Sequence, residues 1–211
     1  MSAEELTTLD IIHTAAKAEF LKKGFKSASL RNIVKTAGVT TGAFYGYYGS
    51  KEELFSVLVD EVYEYTMNQY RNAHEQFENL PIWEQPGQMG KISQKCMNDL
   101  LIYAYGHIEE FHLILKCSEG TKYACMVDDM VELEVQSTHK YYKVLEQLGR
   151  PAAKIDKRLE HILATGMLNA YFEMVLHEMP IEDAKVYLQE LCEFYTAGWM
   201  KIMGQESCDQ R

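Results

Sequence analysis

Apolar residues recur three and four positions apart along most of this 211-residue chain, which is the spacing of helices that bury one face. In the first such stretch Ile12, Ala16 and Phe20 stand four apart, and Gly24 provides a natural helix stop. The run Ser2-Ala3-Glu4-Glu5 has the form of a capping box and predicts where this helix begins. Glycine and proline breaks divide the second half of the chain into five further helices, at about 89–105, 107–118, 121–148, 155–178 and 182–203.

Two short helices are predicted between these segments. The apolar positions of Leu30–Ala37 line one side of a helix, for which Ser29 is a capping candidate and Gly38 a stop. Thr40 is placed to cap the next helix, over about 41–48.

A long helix follows, and it is the fourth along the chain. Ser50-Lys51-Glu52-Glu53 is a second capping box and predicts a helix that runs to about Asn79. Pro81 and Pro86 then bracket a loop that holds Trp83.

The composition agrees with an all-α fold. Hydrophobic residues make up 47% and charged residues 25% of the chain, as in ordinary soluble globular proteins, and four prolines are too few for many short strands. No apolar run approaches the roughly 18 residues of a membrane span, and the acidic start does not have the form of a secretory signal. Five cysteines without a CxxC spacing fit reduced thiols, so we expect a cytoplasmic protein without a membrane partner.

The net charge of -10 is distributed unevenly along the chain. Residues 1–51 carry seven Lys/Arg against four Asp/Glu, a net of +3, whereas the other 160 residues carry 14 against 27, a net of -13. A basic head on an acidic body suits an anionic partner for the head alone. A net of +3 over fifty residues also arises by chance, so the charge leaves both interpretations open.

Residues 30–45 predict a helix-turn-helix, in which two short helices are joined by a tight turn containing Gly38. Five apolar residues are spaced to bury together, namely Ile33, Val34, Ala37, Val39 and Phe44. Small and hydroxyl-bearing residues are left facing outward, namely Thr40, Thr41, Ala43, Tyr45 and Tyr47. Small side chains let a helix approach base edges, and hydroxyl groups reach bases or phosphates, so the pattern is typical of DNA binding.

Over about residues 8–58 the chain resembles the N-terminal domain of the tetracycline-repressor (TetR) family. The matching positions are Ala15-Ala16, Phe20, Gly24-Phe25, Ser29-Leu30, Ile33-Val34, Ala37-Gly38-Val39, Gly42-Ala43-Phe44-Tyr45, Tyr47-Tyr48 and Ser50-Lys51-Glu52-Glu53-Leu54. The resemblance implies a dimeric, ligand-responsive transcriptional regulator, usually a repressor, that binds double-stranded operator DNA. It implies a three-helix DNA-binding domain over residues 1–50 and a larger helical domain, for ligand binding and dimerisation, over residues 51–211.

Carried over position by position, the resemblance implies that four residues approach bases or the adjacent backbone: Thr40, Thr41, Gly42 and Ala43. Tyr48 departs from the family pattern, because a buried phenylalanine is usual at this position. Its hydroxyl group needs a hydrogen-bond partner when it is buried.

Four further residues are implied to contact the DNA backbone. Tyr45 and Tyr47 would contact phosphates, and Arg31 would reach a phosphate or a groove edge. Lys51 would bind a phosphate at the start of the fourth helix, where free N–H groups and the helix dipole favour an anion.

Methionine and tyrosine are concentrated after residue 51. This part of the chain holds ten of the eleven methionines and eleven of the fourteen tyrosines. Apolar side chains with polar tips suit a flat or greasy ligand, although any one of them is more often simple helix core. We predict an apolar or aromatic small-molecule pocket lined by Tyr63, Met67, Tyr70, Trp83, Met97, Tyr103, Phe111, Met126, Met130 and Phe172.

The last two predicted helices carry apolar residues on more than one side. These are Leu159, Ile162, Leu163, Met167, Tyr171 and Met174, followed by Leu191, Phe194, Tyr195, Trp199 and Ile202. Gly166 and Gly198 inside these helices each cost about 1 kcal/mol relative to alanine, which a close helix crossing would explain. We therefore predict an isologous homodimer through the last two helices.

Two other classes of function remain as alternatives. Glu109-x-x-His112, with Glu173 and His177, admits a helical metal-binding enzyme, although a carboxylate-bridged di-iron bundle needs a second Glu-x-x-His. The chain has no phosphate-binding Gly-rich loop and no nucleophile elbow, so no cofactor and no enzymatic activity are predicted. A non-specific DNA-coating protein is the other alternative, and it would show no sequence preference at moderate salt.

Overall fold

The computed structural model describes residues 7–205, which form nine α-helices and no strand. The helices α1 to α9 span Thr8–Ser27, Leu30–Ala37, Thr41–Tyr45, Lys51–Glu78, Gln85–Tyr105, Ile108–Cys117, Met126–Gln147, Lys157–Leu176 and Ile181–Ile202. A 3-10 turn at Lys122–Cys125 leads into α7, where a single helix from residue 121 was expected. The all-α fold is confirmed. None of these helices is long and apolar enough to cross a bilayer.

Helix α1 begins at Thr8 with a capping box different from the predicted one, which lies outside the described residues. The Thr7 hydroxyl accepts a hydrogen bond from the Asp10 N–H at 3.2 Å, and the Asp10 carboxylate accepts one from the Thr7 N–H at 2.9 Å. Gly24 breaks the helix as predicted, because its φ of 71° lies in the left-handed region that favours glycine. One more turn follows the break and ends at Ser27.

The two caps predicted for the short helices have different outcomes. Thr40 caps α3, since its hydroxyl accepts a hydrogen bond from the Ala43 N–H at 3.0 Å. Ser29 stands at the N-cap of α2 as predicted, but its side chain makes no capping bond, and its N–H donates to the Glu19 carboxylate at 3.0 Å. Helix α3 ends at Tyr45, three residues earlier than predicted, just before a glycine of low helix propensity.

The long helices α4 and α5 both begin with residues that are typical of helix N-termini. The Ser50 hydroxyl accepts a hydrogen bond from the Glu53 N–H at 3.0 Å, as a capping box requires, while the Glu53 carboxylate accepts the Gly49 N–H at 2.6 Å. Pro86 lies in the first turn of α5. The N–H groups of a first turn have no acceptor within the helix, so the N–H that proline lacks costs no hydrogen bond there. Helix α5 therefore begins four residues earlier than the loop-bracketing prolines suggested.

The chain divides into two compact units. The first comprises the residues up to Tyr65 together with His107–Met126, and the second comprises Thr66–Gly106 and the residues from Val127 onward. Helix α4 therefore contributes residues to both units. This division follows packing, whereas the boundary predicted at residue 50 is functional and stays a prediction.

In the first unit, α1 packs against both α2 and α6. Phe20, Phe25 and Phe55 form an aromatic cluster, with ring centroids 5.0 Å apart for Phe20–Phe55 and 5.2 Å for Phe25–Phe55. The Lys17 ammonium group binds the carboxylates of Glu109 at 3.1 Å and Glu110 at 2.5 Å. Helix α6 is thus attached to the first helix of the chain, which the sequence did not indicate.

In the second unit, α5, α8 and α9 pack together around a buried apolar core. Two tyrosine hydroxyls fix this packing, because Tyr171 donates to the Met97 carbonyl at 3.2 Å and Tyr105 donates to the Met179 carbonyl at 2.5 Å. A second apolar cluster comprises Phe77, Tyr141, Leu145 and Met203.

Candidate functional site

The helix-turn-helix has a buried face and an exposed face, as its pattern predicted. Ile33, Val34, Ala37 and Phe44 are buried, while Val39 is half-buried. Gly38 ends α2 in the left-handed conformation, with a φ of 66°, and so makes the tight turn to α3.

Seven of the eight residues predicted to contact DNA lie on the exposed face: Arg31, Thr40, Thr41, Gly42, Ala43, Tyr45 and Tyr47. Tyr45 and Tyr47 are 55% and 48% exposed, and the Tyr45 ring packs edge-on against Phe44. The Thr40 hydroxyl accepts the α3 capping bond and still has its own proton to donate. Contact with DNA stays a prediction for all of them.

Lys51, the eighth residue, has a structural role that the sequence did not indicate. Its ammonium group donates to the Phe25 carbonyl at 2.7 Å and to the Ala28 carbonyl at 3.1 Å, and it lies 4.5 Å from the centre of the Phe25 ring. These contacts tie the start of α4 to the carbonyl end of α1. One of the three ammonium N–H groups remains for a phosphate.

Lys35 is a candidate contact residue that the sequence reasoning missed. It lies four residues after Arg31 on α2, both side chains are exposed, and neither forms an ion pair within residues 7–205. By contrast, the lysines of α1 at positions 23 and 26 pair with Glu19 and Glu119. The spacing of four on one helix was the signal that places two cations on the same face.

The Tyr48 hydroxyl has the partner that its burial requires, because it lies within hydrogen-bond distance of His13 Nε2. Burial lowers the pKa of His13 and raises the pKa of Tyr48. The Tyr48 ring also packs against Phe44, with centroids 5.6 Å apart. This pair therefore supports the exposed helix from behind.

A cavity of about 120 Å³ lies within the second unit. Helices α4, α5, α7, α8 and α9 contribute its lining, which is mostly apolar. The lining residues are Tyr70, Ala73, His74, Phe77, Met89, Gly90, Ile92, Ser93, Cys96, Met97, Glu134, Met167, Leu188, Leu191, Cys192, Tyr195, Thr196 and Trp199.

Of the ten residues predicted for the ligand pocket, Tyr70 and Met97 line this cavity. Trp83 is 72% exposed and does not line it. Three others belong to the first unit, namely Tyr63, Phe111 and Met126. Met67, Met130 and Phe172 are buried and Tyr103 is half-buried, all in the second unit and outside the cavity lining.

The polar group of the cavity is centred on Glu134. Its Oε1 accepts a hydrogen bond from the Tyr70 hydroxyl at 2.5 Å and lies 3.5 Å from His74 Nε2. Burial, with the charge of Glu134, raises the pKa of Tyr70 well above its usual range. The same two causes raise the pKa of Cys96 to about 12, so this thiol stays protonated.

Helix α9 turns one of its two predicted apolar faces towards the cavity. Leu191, Tyr195 and Trp199 stand four apart and line the cavity, as Met167 of α8 does. Phe194 of the same helix is 72% exposed. The spacing of four was visible in the sequence, but it does not tell which of two apolar faces turns inward.

An apolar surface does remain on α8 and α9. Leu159, Ile162, Phe194 and Ile202 are exposed, Ile162 to 63%. A Cβ atom on Gly166 would lie 3.0 Å from the Tyr195 hydroxyl, so this glycine permits the α8–α9 crossing within one chain. A Cβ atom on Gly198 would meet nothing within 4 Å, so the crossing inside the chain does not explain that glycine.

The residues considered for a metal-binding enzyme have other partners. Glu109 binds Lys17, while His177 Nε2 pairs with Glu173 at 2.7 Å on an exposed helix face. In the part of the chain that the structure describes, no group of three or more His, Cys, Asp or Glu side chains is placed to hold a metal ion.

Comparison with known proteins identifies the N-terminal part of the chain. The pattern of bacterial regulatory proteins of the TetR family matches residues 12–58. The transcriptional regulator TtgR of Pseudomonas putida is 31% identical over 130 residues, which is 62% of this chain and 56% of TtgR. The match thus spans little more than half of that relative.

Solved structures of regulators share the fold. A transcriptional regulator from Aquifex aeolicus VF5 has a TM-score of 0.52 at 21% identity and covers 89% of this chain and 99% of its own. A TetR-like transcriptional regulator from Rhodococcus sp. RHA1 has a TM-score of 0.54 at 17% identity, with 93% and 100% covered. Residues 12–58 thus match the TetR family of bacterial regulatory proteins, and the fold of the chain is similar to that of solved transcriptional regulators.

Proposed function

We propose that this protein is a ligand-responsive transcriptional repressor that binds a near-palindromic operator as a homodimer. The observation that carries the proposal is the division of the helix-turn-helix into two faces. Its apolar residues are buried, and seven predicted contact residues are exposed together. An exposed pair of tyrosines beside small residues and hydroxyls suits a helix that enters the major groove.

The exposed residues fall into two groups: some position the protein on the duplex, and others read the DNA sequence. Arg31, Lys35 and Tyr47 contact phosphates, which fix the register of the protein on the duplex without reading sequence. Thr41 and Ala43 face base edges, where a hydroxyl donor and a methyl group distinguish bases. This assignment predicts different consequences for substitutions in the two groups.

The DNA experiment is a selection from a random-sequence duplex library with the full chain, followed by anisotropy titrations on the selected site. We expect a near-palindromic site. Thr41→Ala should change the base preferred at one position of each half-site, whereas Tyr47→Phe should weaken binding to all sequences about equally. Selection of no common sequence at moderate salt would instead indicate a non-specific DNA-coating protein.

The dimer is proposed to form through the exposed apolar surface of α8 and α9. Exposed apolar residues at Ile162 and Phe194, and the open space at Gly198, suit the close approach of a second copy of the same helices. Light scattering should give twice the 24.3 kDa mass of one chain. Phe194→Glu should give the monomer mass, whereas the matched change Ile102→Glu, at an exposed position of α5, should not.

The ligand response is proposed to start at the cavity of the second unit. Its lining is mostly apolar with a few polar groups, which is the usual form of a small-molecule site. Helix α4 carries Lys51 at one end and lines the cavity with Tyr70 and His74 further along. A ligand that favours a shifted α4 changes the spacing of the two DNA-binding heads and so releases the operator.

A further inference from the structure

A second cavity lies beside the first, on Glu134. This second cavity has a volume of about 80 Å³ and shares Met89, Glu134 and Trp199 with the first. Both lie within the second unit. Met89, Glu134 and Trp199 therefore line both spaces, so a ligand in either one lies beside the Glu134 side chain.

The charge of the combined site is set by Glu134. Among the described side chains that line the two cavities, none is a lysine or arginine, and Glu134 is the one carboxylate. Both of its contacts within the described chain, with Tyr70 and His74, are made through Oε1. Its Oε2 is therefore open to a hydrogen-bond donor from a ligand, and an anionic ligand would be repelled.

The walls beside Glu134 suit a cation that carries an aromatic ring. Phe77, Tyr195 and Trp199 line the larger cavity, and the faces of aromatic rings attract a positive charge through the ring quadrupole. Met89 and Met97 supply polarizable thioethers that adapt to a ring edge. In size, the larger cavity approaches the engineered cavity of about 150 Å³ that binds benzene.

The far end of the site carries an unsatisfied hydroxyl group. Tyr141 lines the smaller cavity, is 2% exposed, and its hydroxyl has no hydrogen-bond partner among the described residues. Buried polar groups are nearly always hydrogen-bonded, and an unpaired one lowers the stability of the fold. A polar atom on a ligand would supply the hydrogen bond that the Tyr141 hydroxyl lacks.

We propose that the site binds a small aromatic organic cation, with its ammonium group at Glu134, its ring between Trp199 and the methionines, and a polar substituent towards Tyr141. The proposal deepens the ligand response described above and rests on it. It also commits to a charge, because the site offers one carboxylate and no permanent cation in the part described.

Trp199 provides a direct signal for the test. The chain has two tryptophans, and Trp83 is 72% exposed, so Trp83→Phe leaves Trp199 as the one emitter without disturbing a core. In this background three probes of similar shape are titrated while Trp199 emission is followed. They are benzyltrimethylammonium, its uncharged carbon analogue neopentylbenzene, and the anion phenylacetate.

We expect benzyltrimethylammonium to bind roughly tenfold more tightly than neopentylbenzene, and phenylacetate more weakly than either. Glu134→Gln keeps the size of the side chain and should remove the advantage of the cation while leaving the affinity for neopentylbenzene unchanged. Unchanged neopentylbenzene binding also shows that the variant has folded. Glu132→Gln is the matched control, since it removes the same charge from an exposed position of α7 and should preserve the advantage.

Tyr141→Phe gives a second, independent readout. It should reduce the affinity for 4-hydroxybenzyltrimethylammonium and leave that for benzyltrimethylammonium unchanged. Tighter binding of phenylacetate, or a cation preference that survives Glu134→Gln, would overturn the proposal. Neither result depends on DNA. If the protein does not prefer the cation but selects an operator, the cation proposal is wrong and the proposed function stands. If it binds the cation but selects no operator, only the proposed function is wrong.

Discussion

Lys51 combines two roles that substitution separates. We expect Lys51→Ala to lower the slope of log affinity against log salt by about 0.9, because one phosphate contact is lost. The same change should lower the free energy of unfolding by about 1–3 kcal/mol, since charged hydrogen bonds to the Phe25 and Ala28 carbonyls are lost. Anisotropy titrations at several salt concentrations and urea unfolding measure the two effects.

The control for Lys51 is Arg31→Ala. Arg31 is exposed and forms no ion pair within residues 7–205, so its loss should lower the salt slope by about 0.9 with little change in unfolding. A Lys51→Ala protein that loses stability but keeps its salt slope would show that Lys51 holds the fold and does not contact DNA.

His13 makes the stability of the first unit depend on pH. Burial lowers the pKa of His13 below its ordinary value of 6.5. The charge of Asp10 opposes this shift, and the charge of Lys17 adds to it. The unfolded chain therefore binds more protons than the folded one. The contribution of His13 to the free energy of unfolding is fully present above pH 6.5, and it is lost as the pH falls from 6.5 towards the pKa of His13 in the folded protein. Urea unfolding at pH 7.5 and pH 5.5 tests this.

The comparison that isolates His13 is His13→Gln, which retains an acceptor for the Tyr48 hydroxyl but does not titrate. Its free energy of unfolding should fall less between the two pH values than that of the unaltered protein. An equal fall in both proteins would assign the pH dependence to carboxylates elsewhere.

At the scale of elements, the two glycines inside α8 and α9 are expected to respond in opposite ways to alanine. In the Phe194→Glu background, in which no second copy is expected to pack on Gly198, Gly198→Ala meets nothing within 4 Å and should raise the free energy of unfolding by about 1 kcal/mol through helix propensity. Gly166→Ala places a Cβ atom 3.0 Å from the Tyr195 hydroxyl, so a shift of Tyr195 should cancel that gain. Urea unfolding at one protein concentration compares them, and equal stabilisation by both would contradict the close α8–α9 crossing.

The helices were largely predictable because their signals are local. Apolar spacing marked each helix, and glycine or proline marked the breaks, so most boundaries fall within a few residues of the predicted ones. The packing of α6 on α1 was not predictable in this way. It depends on Lys17 binding Glu109 and Glu110, more than ninety residues along the chain, and no local pattern records that contact.

The candidate sites were predictable to different degrees for the same reason. The exposed face of the helix-turn-helix follows from the spacing of short helices around Phe44, and the family pattern reinforces it. The cavity depends on which faces of five helices meet. Composition alone therefore found Tyr70 and Met97 but missed Glu134, and apolar spacing did not show that Trp199 lies on the face of α9 that lines the cavity.

At the scale of the whole molecule, α6 and the 3-10 turn belong to the same compact unit as the helix-turn-helix, and charged contacts join residues 119–123 to α1 and α4. Lys26 binds Glu119 at 3.0 Å, and Asp60 accepts hydrogen bonds from Lys122 and Tyr123, each at 2.8 Å. The DNA-binding head is therefore larger than a three-helix domain in its packing. The chain joins the two units at Tyr65, Gly106 and Met126, and two of these junctions lie inside the helices α4 and α7.

Helix α4 runs through the junction at Tyr65, and this continuity leads to the last prediction, that ligand and operator weaken each other's binding by the same factor. A ligand changes DNA affinity only through its different affinities for two states of the protein, commonly by about 1–3 kcal/mol or 5–150-fold. Linkage makes the effect reciprocal, so calorimetric titration of benzyltrimethylammonium, or of a tighter ligand found by screening, should give a weaker affinity when operator is present. A scrambled duplex of the same length is the control and should leave the ligand affinity unchanged. Equal ligand affinity with and without operator would exclude ligand-driven release, whatever the cavity binds.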